Sequence, residues 1–519
     1  MNLLRRDPAD ILAEIAALRD ADAPTHGGRV LSYVYDSGVP ELDELAAGAA
    51  RLMQPVNGLD PTTFPSVAAM EAGVVGFARR VFHGEGAGPV SGEVVVGSVT
   101  SGGTESCLLA VKAARDAWRA TRPSGEAGGP LAPRLVVPTT AHAAFHKAAE
   151  YFGLRLDLVP VDPADGAPRA AAVVDRLGDD VALVVLSAPS YPFAALDPIV
   201  EVAAACAERG VALHVDACIG GFALPFWPEP VPPWDLRVPG VTSLSADLHK
   251  YGYAPKGVSV LLTRGRDRQR RQYFATTRWP GYPVVNPTMA GSRPAGPLAA
   301  AWAIVEALGD SGFAELTARA ARATSVLRGA IDGIEGLCVV GRPVGPLLAV
   351  AADEAVDADR RVDPHHWADA VGAAGWQLQL QPGMTQPDGT RLPPTTHLTV
   401  TPVTESVAAD LSGALVAAAD AVRGVPPVDG AELVAELAAG LGGGPSALAA
   451  ASADLDSDAA AALLAALGLL GDSGAAVALP ARLAPVLALV ETLPGPLTER
   501  LLVELLARVV EPGPATRGG

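Results

Sequence analysis

Lysine is scarce in this chain: of 39 basic residues only Lys112, Lys147, Lys250 and Lys256 are lysine, and the other 35 are arginine. Arginine has taken over wherever charge alone mattered. The surviving lysines therefore point to work that a guanidinium cannot do, chiefly giving up a proton and forming an imine. Two of the four stand six apart in HKYGYAPK, from His249 to Lys256, which makes that segment a candidate site on composition alone.

Positive charge as a whole is short. A formal net charge of -18 and a pI near 4.9 exclude a protein that grips nucleic acid through a broad basic face. Cysteine is rare too. Cys107, Cys206, Cys218 and Cys338 lie far apart with no C-x-x-C spacing, which excludes a disulfide framework and a cysteine zinc site, so reduced thiols and no metal are expected. Long apolar runs are missing: the longest, residues 459–471, falls short of the roughly 20 residues that span a bilayer. The first 20 residues, MNLLRRDPADILAEIAALRD, break their apolar positions with acids and lack the core of a signal peptide. A soluble, cytoplasmic protein with no integral membrane segment is expected. Aromatics make up only 5%, so the 49% hydrophobic content comes largely from alanine and valine. A chain of 519 residues with that balance is globular and built of two or more packed units.

From about Val94 to Thr263 short β-branched runs alternate with alanine-rich stretches, the pattern of an α/β unit with a mainly parallel sheet. The expected strands are Val94–Val99, Arg134–Pro138, Leu156–Val159, Val181–Ser187, Ala212–Val215, Ser243–Ser245 and Val258–Thr263. Helices are expected over Glu105–Ala120, Ala143–Phe152 and Pro198–Glu208. Residues 1–90 read as a helical arm and 91–295 as the large domain. Residues 296–424 read as a long helix leading into a smaller α+β domain, with strands at Leu337–Val340, Pro346–Val350, Gln377–Leu380 and His397–Val400. After the break at Gly424-Val425-Pro426-Pro427, residues 425–519 form an Ala/Leu-rich helical appendage containing Gly442-Gly443-Gly444-Pro445.

Four motifs carry chemistry. Thr100-Ser101-Gly102-Gly103-Thr104-Glu105-Ser106 follows a strand and opens a helix, so its amides and hydroxyls suit a phosphate, although a plain capped turn would look the same. Asp216 ends an apolar strand, where a carboxylate is costly unless it caps the next turn or faces a cation such as a protonated ring nitrogen. In Ser243-Leu244-Ser245-Ala246-Asp247-Leu248-His249-Lys250, Lys250 can form a Schiff base, and Ser245 and His249 are placed to bond a phosphate. His142 begins a helix and can either cap it or lay its ring on a flat cofactor. A phosphate cradle, a strand-end carboxylate, a stacking imidazole and a Schiff-base lysine are together what pyridoxal phosphate needs.

These segments resemble the group II pyridoxal-phosphate decarboxylases, and within them the sphingosine-1-phosphate lyase branch. The resemblance runs through VTSGGTES (99–106), AHAAFHKAAEYFG (141–153), LHVDACIGGF (213–222), GVTSLSADLHKYGYAPKG (240–257) and AGSRPAG (290–296). It covers about residues 30–420 and leaves the appendage out. It implies the fold-type I, aspartate aminotransferase-like architecture and a homodimer with shared active sites, the AGSRP segment reaching the partner's cofactor. It also implies Lys250 as the cofactor lysine, Asp216 as the ring partner and His142 as the stacking residue. Gly103, Thr104 and His249 become phosphate contacts, while Tyr35 and Lys256 act near the substrate phosphate.

The expected reaction is retro-aldol cleavage of an amine substrate, a phosphorylated sphingoid base giving an aldehyde and phosphoethanolamine. The alternative is an amino-acid decarboxylase. It draws on Asp60, which stands where the lyases carry a histidine in an Asn-x-x-His-Pro-Asp-like stretch and would repel a dianion. A catalytically silent scaffold is the third reading, disfavoured by the intact Lys250, Asp216 and His142.

Overall fold

The computed structural model describes residues 3–60, 62–85, 94–121, 132–440, 455–470 and 480–512. Its centre is a seven-stranded sheet made of β1 (Val95–Thr100), β2 (Arg134–Pro138), β3 (Arg155–Val159), β4 (Val181–Ser187), β5 (Ala212–Asp216), β6 (Val241–Ala246) and β7 (Ser259–Arg264). The strand order is β1-β7-β6-β5-β4-β2-β3. Strands β6, β5, β4, β2 and β3 run parallel, and β7 runs antiparallel to both β6 and β1. The reversal has a plain cause. Between Ala246 and Ser259 there is no helix, and a parallel return needs a crossover long enough to carry one.

The inner strands are apolar throughout because both faces are covered; every residue of β4, Val-Ala-Leu-Val-Val-Leu-Ser, is buried. On one face the helix Gly103–Ala120 and the helix Ala144–Phe152 pack Leu108, Val111 and Phe145 against Leu135, Val137, Leu183 and Val185. On the other the helix Pro65–Val81 and the start of the long helix Gly296–Asp332 enclose Phe77, Phe222 and Phe313. Each fully buried Leu, Val or Phe contributes about 1.5–3 kcal/mol, so the sheet edges that carry the chemistry rest on a rigid base.

Two short hairpins were not anticipated from the pattern, β8 (Phe274–Thr276) with β9 (Val284–Asn286), and β13 (Met384–Thr385) with β14 (Arg391–Leu392). The latter is flanked by the smaller sheet, in which β10 (Leu337–Val339), β11 (Leu347–Ala352), β15 (Thr395–Thr399) and β12 (Gln379–Gln381) are antiparallel neighbours in that order. Before any of these, residues 29–31 lie across the small sheet: Leu31 N donates to Gln377 O at 2.8 Å and Thr399 N to Leu31 O at 2.8 Å. That pairing carries Tyr33 and Tyr35 to the seam between the two sheets.

Of the amino-terminal helices, Pro8–Arg19 buries no residue, whereas Pro40–Leu52 and Pro65–Val81 bury apolar faces. Beyond residue 425 the described residues include the helices Gly430–Gly440, Ser457–Ala466, Ala484–Thr492 and Gly495–Val509. The stretch Gly442-Gly443-Gly444-Pro445 lies outside the described residues. Among the described residues no helix is long and apolar enough to cross a membrane.

Candidate active site

The carboxyl ends of β1, β2, β4, β5 and β6 open on one cavity of about 830 Å³, the edge where α/β sheets collect ligands. Gly103, Thr104, His142, Asp216, His249, Lys250, Lys256 and Tyr35 all line it. Lys250 sits in the connection that follows β6, and its Nζ lies 3.1 Å from Asp247 Oδ2. His249 Nε2 is 3.5 Å from the same oxygen. Burial, the largest single influence, disfavours the Lys250 ammonium, but the negative groups around it, Asp247 foremost with Tyr35, Cys218 and Asp216, together hold the amine above its ordinary pKa. Burial likewise opposes the Asp247 charge, and the Lys250 and His249 charges still draw its carboxyl below the usual range. Asp247 was not singled out in the sequence; its i, i+3 spacing to Lys250 across a turn was the available signal.

The phosphate-cradle segment has the form a bound anion needs. Gly103 begins the 18-residue helix Gly103–Ala120, whose first amides have no intrahelical acceptor. A Cβ at Gly103 would stand 2.6 Å from Asp247 Oδ2 and 2.9 Å from Cys218 Sγ, so only glycine fits. Glu105 anchors this turn, accepting from Ser101 N at 2.6 Å and from Met289 N at 2.7 Å. Two buried polar atoms of cavity-lining residues, Thr140 Oγ1 and His249 Nδ1, have no hydrogen-bond partner among the described residues. They are the polar groups that a phosphate at this edge would satisfy. Burial lowers the His249 pKa despite Asp247, favouring the neutral ring.

Asp216 Oδ1 accepts from Cys218 N at 3.0 Å, a local cap, while the residue itself lines the cavity. The carboxylate thus caps the turn and also borders the cavity. The same is true of His142, whose Nδ1 accepts from Ala144 N at 3.1 Å as the exposed ring borders the cavity. At the mouth Lys256 Nζ lies 4.6 Å from the centre of the Tyr35 ring, which meets Tyr251 edge-on. Burial and the neighbouring Lys250 charge bring Lys256 down to about 8. Burial pushes the Tyr35 hydroxyl above its ordinary value even though Lys250 pulls the other way.

Ser245 requires a correction. It is fully buried and does not line the cavity; its Oγ lies 3.1 Å from His214 Nε2 and 3.2 Å from Cys218 Sγ. Residues two apart on a strand share a face, and Ser243 and Ser245 both turn toward His214 on β5. Asp60 lies elsewhere in this chain. It is exposed, accepts from Thr62 N and from the Thr62 and Thr63 hydroxyls, and is not among the residues lining its own chain's cavity. Residues that sequence reasoning missed include Tyr33, Tyr191 and Gln379, all on the cavity wall.

A mainly parallel sheet whose carboxyl edge gathers a glycine-opened helix, a strand-end aspartate and a half-buried lysine defines a fold-type I pyridoxal-phosphate protein. The pyridoxal-dependent decarboxylase conserved domain matches residues 44–328, and the chain belongs to that family, whose cofactor is pyridoxal phosphate. A second model, the C-terminal putative HTH domain of pyridoxal-dependent enzymes, matches residues 444–508. The chain is similar to the sphingosine-1-phosphate lyase of Dictyostelium discoideum, 36% identical over 66% of this chain and 63% of that one. It is 33% identical to the probable sphingosine-1-phosphate lyase of Legionella pneumophila over 69% and 57% of the two chains. The chain thus spans about 57–63% of the length of these curated relatives. The solved sphingosine-1-phosphate lyase of Burkholderia pseudomallei superposes with a TM-score of 0.73 at 31% identity, covering 85% of this chain and 96% of that one. The Lactobacillus brevis glutamate decarboxylase, at 21% identity and a TM-score of 0.70 over 82% and 96%, shares the fold.

Proposed function

We propose that this protein is a carbon–carbon lyase that cleaves a phosphorylated sphingoid base into a long-chain aldehyde and phosphoethanolamine. The observation that carries the reading is the second lysine in the cavity: Lys256 adds a cation beside Tyr35, apart from the Lys250–Asp247 pair. Cleavage of an amine at a bare carboxylate would not call for it. The names of the similar proteins from Dictyostelium, Legionella and Burkholderia agree with this reading.

Bound pyridoxal phosphate supplies the electron sink that lets a bond at the substrate's amine-bearing carbon break. Lys250 would hold its aldehyde, Asp216 would keep its ring nitrogen protonated and His142 would lie against its face. Gly103, Thr104, Thr140 and His249 would hold its phosphate. Tyr35 and Lys256 would bind the substrate's own phosphate, Lys256 as a cation, and only the neutral fraction of the Lys256 amine, which grows as pH rises through about 8, could accept the proton of the C3 hydroxyl. Phe193, Leu380, Met384 and Leu392 supply an apolar wall for a hydrocarbon chain.

The amino-acid decarboxylase reading drew on Asp60, whose carboxylate is held by Thr62 and Thr63 away from its own chain's cavity. We further propose a cytoplasmic homodimer, and four parts at residues 1–90, 91–295, 296–424 and 425–519. The test is to incubate the purified protein with sphinganine phosphate and, separately, with a panel of amino acids, and to identify products by mass. Phosphoethanolamine with hexadecanal supports the lyase. Carbon dioxide and an amine from an amino acid, with the phosphate ester left intact, would replace it with the decarboxylase.

A further inference from the structure

Among the described residues the appendage holds a hairpin on the active-site cavity wall through the side chain of Glu491. After β12 the chain turns through Pro382 and Gly383 into the hairpin Met384–Leu392, and Gln381, Pro382, Met384 and Leu392 form part of the cavity wall. This hairpin is too short to hold its own shape, since β13 and β14 have two residues each. It is held from two sides. At its tip buried Gln386 accepts from Thr139 Oγ1 at 2.6 Å and Val161 N at 2.8 Å, and donates to Val161 O at 2.8 Å. That ties the tip to the large sheet.

At its base the hairpin is held by Glu491, on the appendage helix Ala484–Thr492. Glu491 Oε1 accepts from Gly383 N at 2.9 Å, and Oε2 pairs with Arg391 Nη2 at 2.6 Å. The carboxylate thus bridges both strands' outer ends, and its side chain is only 14% exposed. The helix that carries it is itself fixed: Asp369 caps its start, Oδ1 accepting from Leu483 N at 2.9 Å and Oδ2 from Ala484 N at 3.0 Å. Gly430 packs against its last turn, where a Cβ would stand 2.1 Å from Thr492 Oγ1.

We propose that Glu491 is a positioning residue: through Gly383 and Arg391 the appendage sets the Met384–Leu392 hairpin, and so the grip of the cavity on the apolar part of the substrate. The substrate clause rests on the lyase reading. The test compares Glu491→Ala and Glu491→Gln with the wild-type holoenzyme in two measurements. The first is the rate of tryptic cleavage after Arg391, followed by mass as the fragment beginning at Leu392. With the clamp gone the hairpin opens more often, so nicking of Glu491→Ala is expected to rise on the order of tenfold. Glu491→Gln keeps an acceptor for Gly383 N and should fall between. The second is turnover of sphinganine phosphate, where KM is expected to rise roughly fivefold in Glu491→Ala with kcat within about twofold, the signature of lost substrate binding. Unchanged nicking overturns the proposal. So does a fall in kcat accompanied by loss of cofactor absorbance, which would make Glu491 merely structural. A wild type that leaves sphinganine phosphate intact removes the lyase reading, and nicking alone then decides whether Glu491 holds the hairpin.

Discussion

Lys250 and Asp247 form an ion pair three residues apart, Nζ to Oδ2 at 3.1 Å, with Asp247 only 2% exposed on its side chain and Lys250 half-buried. An amine must be neutral to attack an aldehyde, and this carboxylate keeps it charged. The pair therefore holds the lysine in its protonated form. It also makes Asp247 more than a neighbour, because burial alone would push the Lys250 amine the other way.

Asp247→Asn should accordingly shift the pH dependence of cofactor loading. With the counter-charge gone, burial dominates and the Lys250 pKa falls, so the neutral amine appears at lower pH. Loading of the apoprotein with pyridoxal phosphate, followed by its visible absorbance, should begin at lower pH than in the wild type. An unmoved onset would show that Asp247 does not govern the amine.

Lys250→Ala should abolish both turnover and the absorbance of lysine-bound cofactor, while leaving the fold intact. Product formation above a trace in this variant would assign the chemistry elsewhere.

Ser245→Ala separates a structural role from a ligand role. His214 is held neutral by burial, its pKa lowered to about 4, and bonds Ser243 and Ser245 through its two ring nitrogens. Removing one hydroxyl leaves a buried ring nitrogen unpaired at a cost of about 1–3 kcal/mol. The expected result is a lower unfolding midpoint in denaturant with cofactor affinity within about threefold of wild type. A large loss of affinity at unchanged stability would return Ser245 to the phosphate site.

The parts of this molecule legible in the sequence are those where one local signal dominated. Arg134–Pro138 and Val181–Ser187 are strands because an unbroken apolar run of that length has to be buried on both faces. Lysine scarcity drew attention to Lys250 and Lys256, both of which line the cavity. The same argument overvalued Lys112, which pairs with Asp116 and donates to Arg271 O as an ordinary helix lysine. What could not be read depends on partners distant in sequence. The hairpin at Met384–Leu392 has too few residues for periodicity and exists because Gln386 and Glu491 hold it from opposite sides. The direction of Ser245 followed from the register of β6 against β5, which the motif alone did not reveal.

Lys256 offers a pH test that bears directly on the substrate's phosphate. Its amine is drawn down to about 8 by burial and by the Lys250 charge. Below that pH it is a cation beside Tyr35, and above it the charge is lost, so any grip on a phosphate weakens as pH rises through about 8. KM for sphinganine phosphate should therefore climb on the alkaline side, by about tenfold if one charge-assisted hydrogen bond is lost. Lys256→Met should begin with the high KM and show no such climb. Lys256→Arg, which keeps its charge throughout, should hold a flat KM to higher pH, though its planar head will not reproduce the ammonium's contacts in full. If the alkaline rise persists unchanged in Lys256→Met, another group titrates against the phosphate. The grip on the phosphate would then not belong to Lys256.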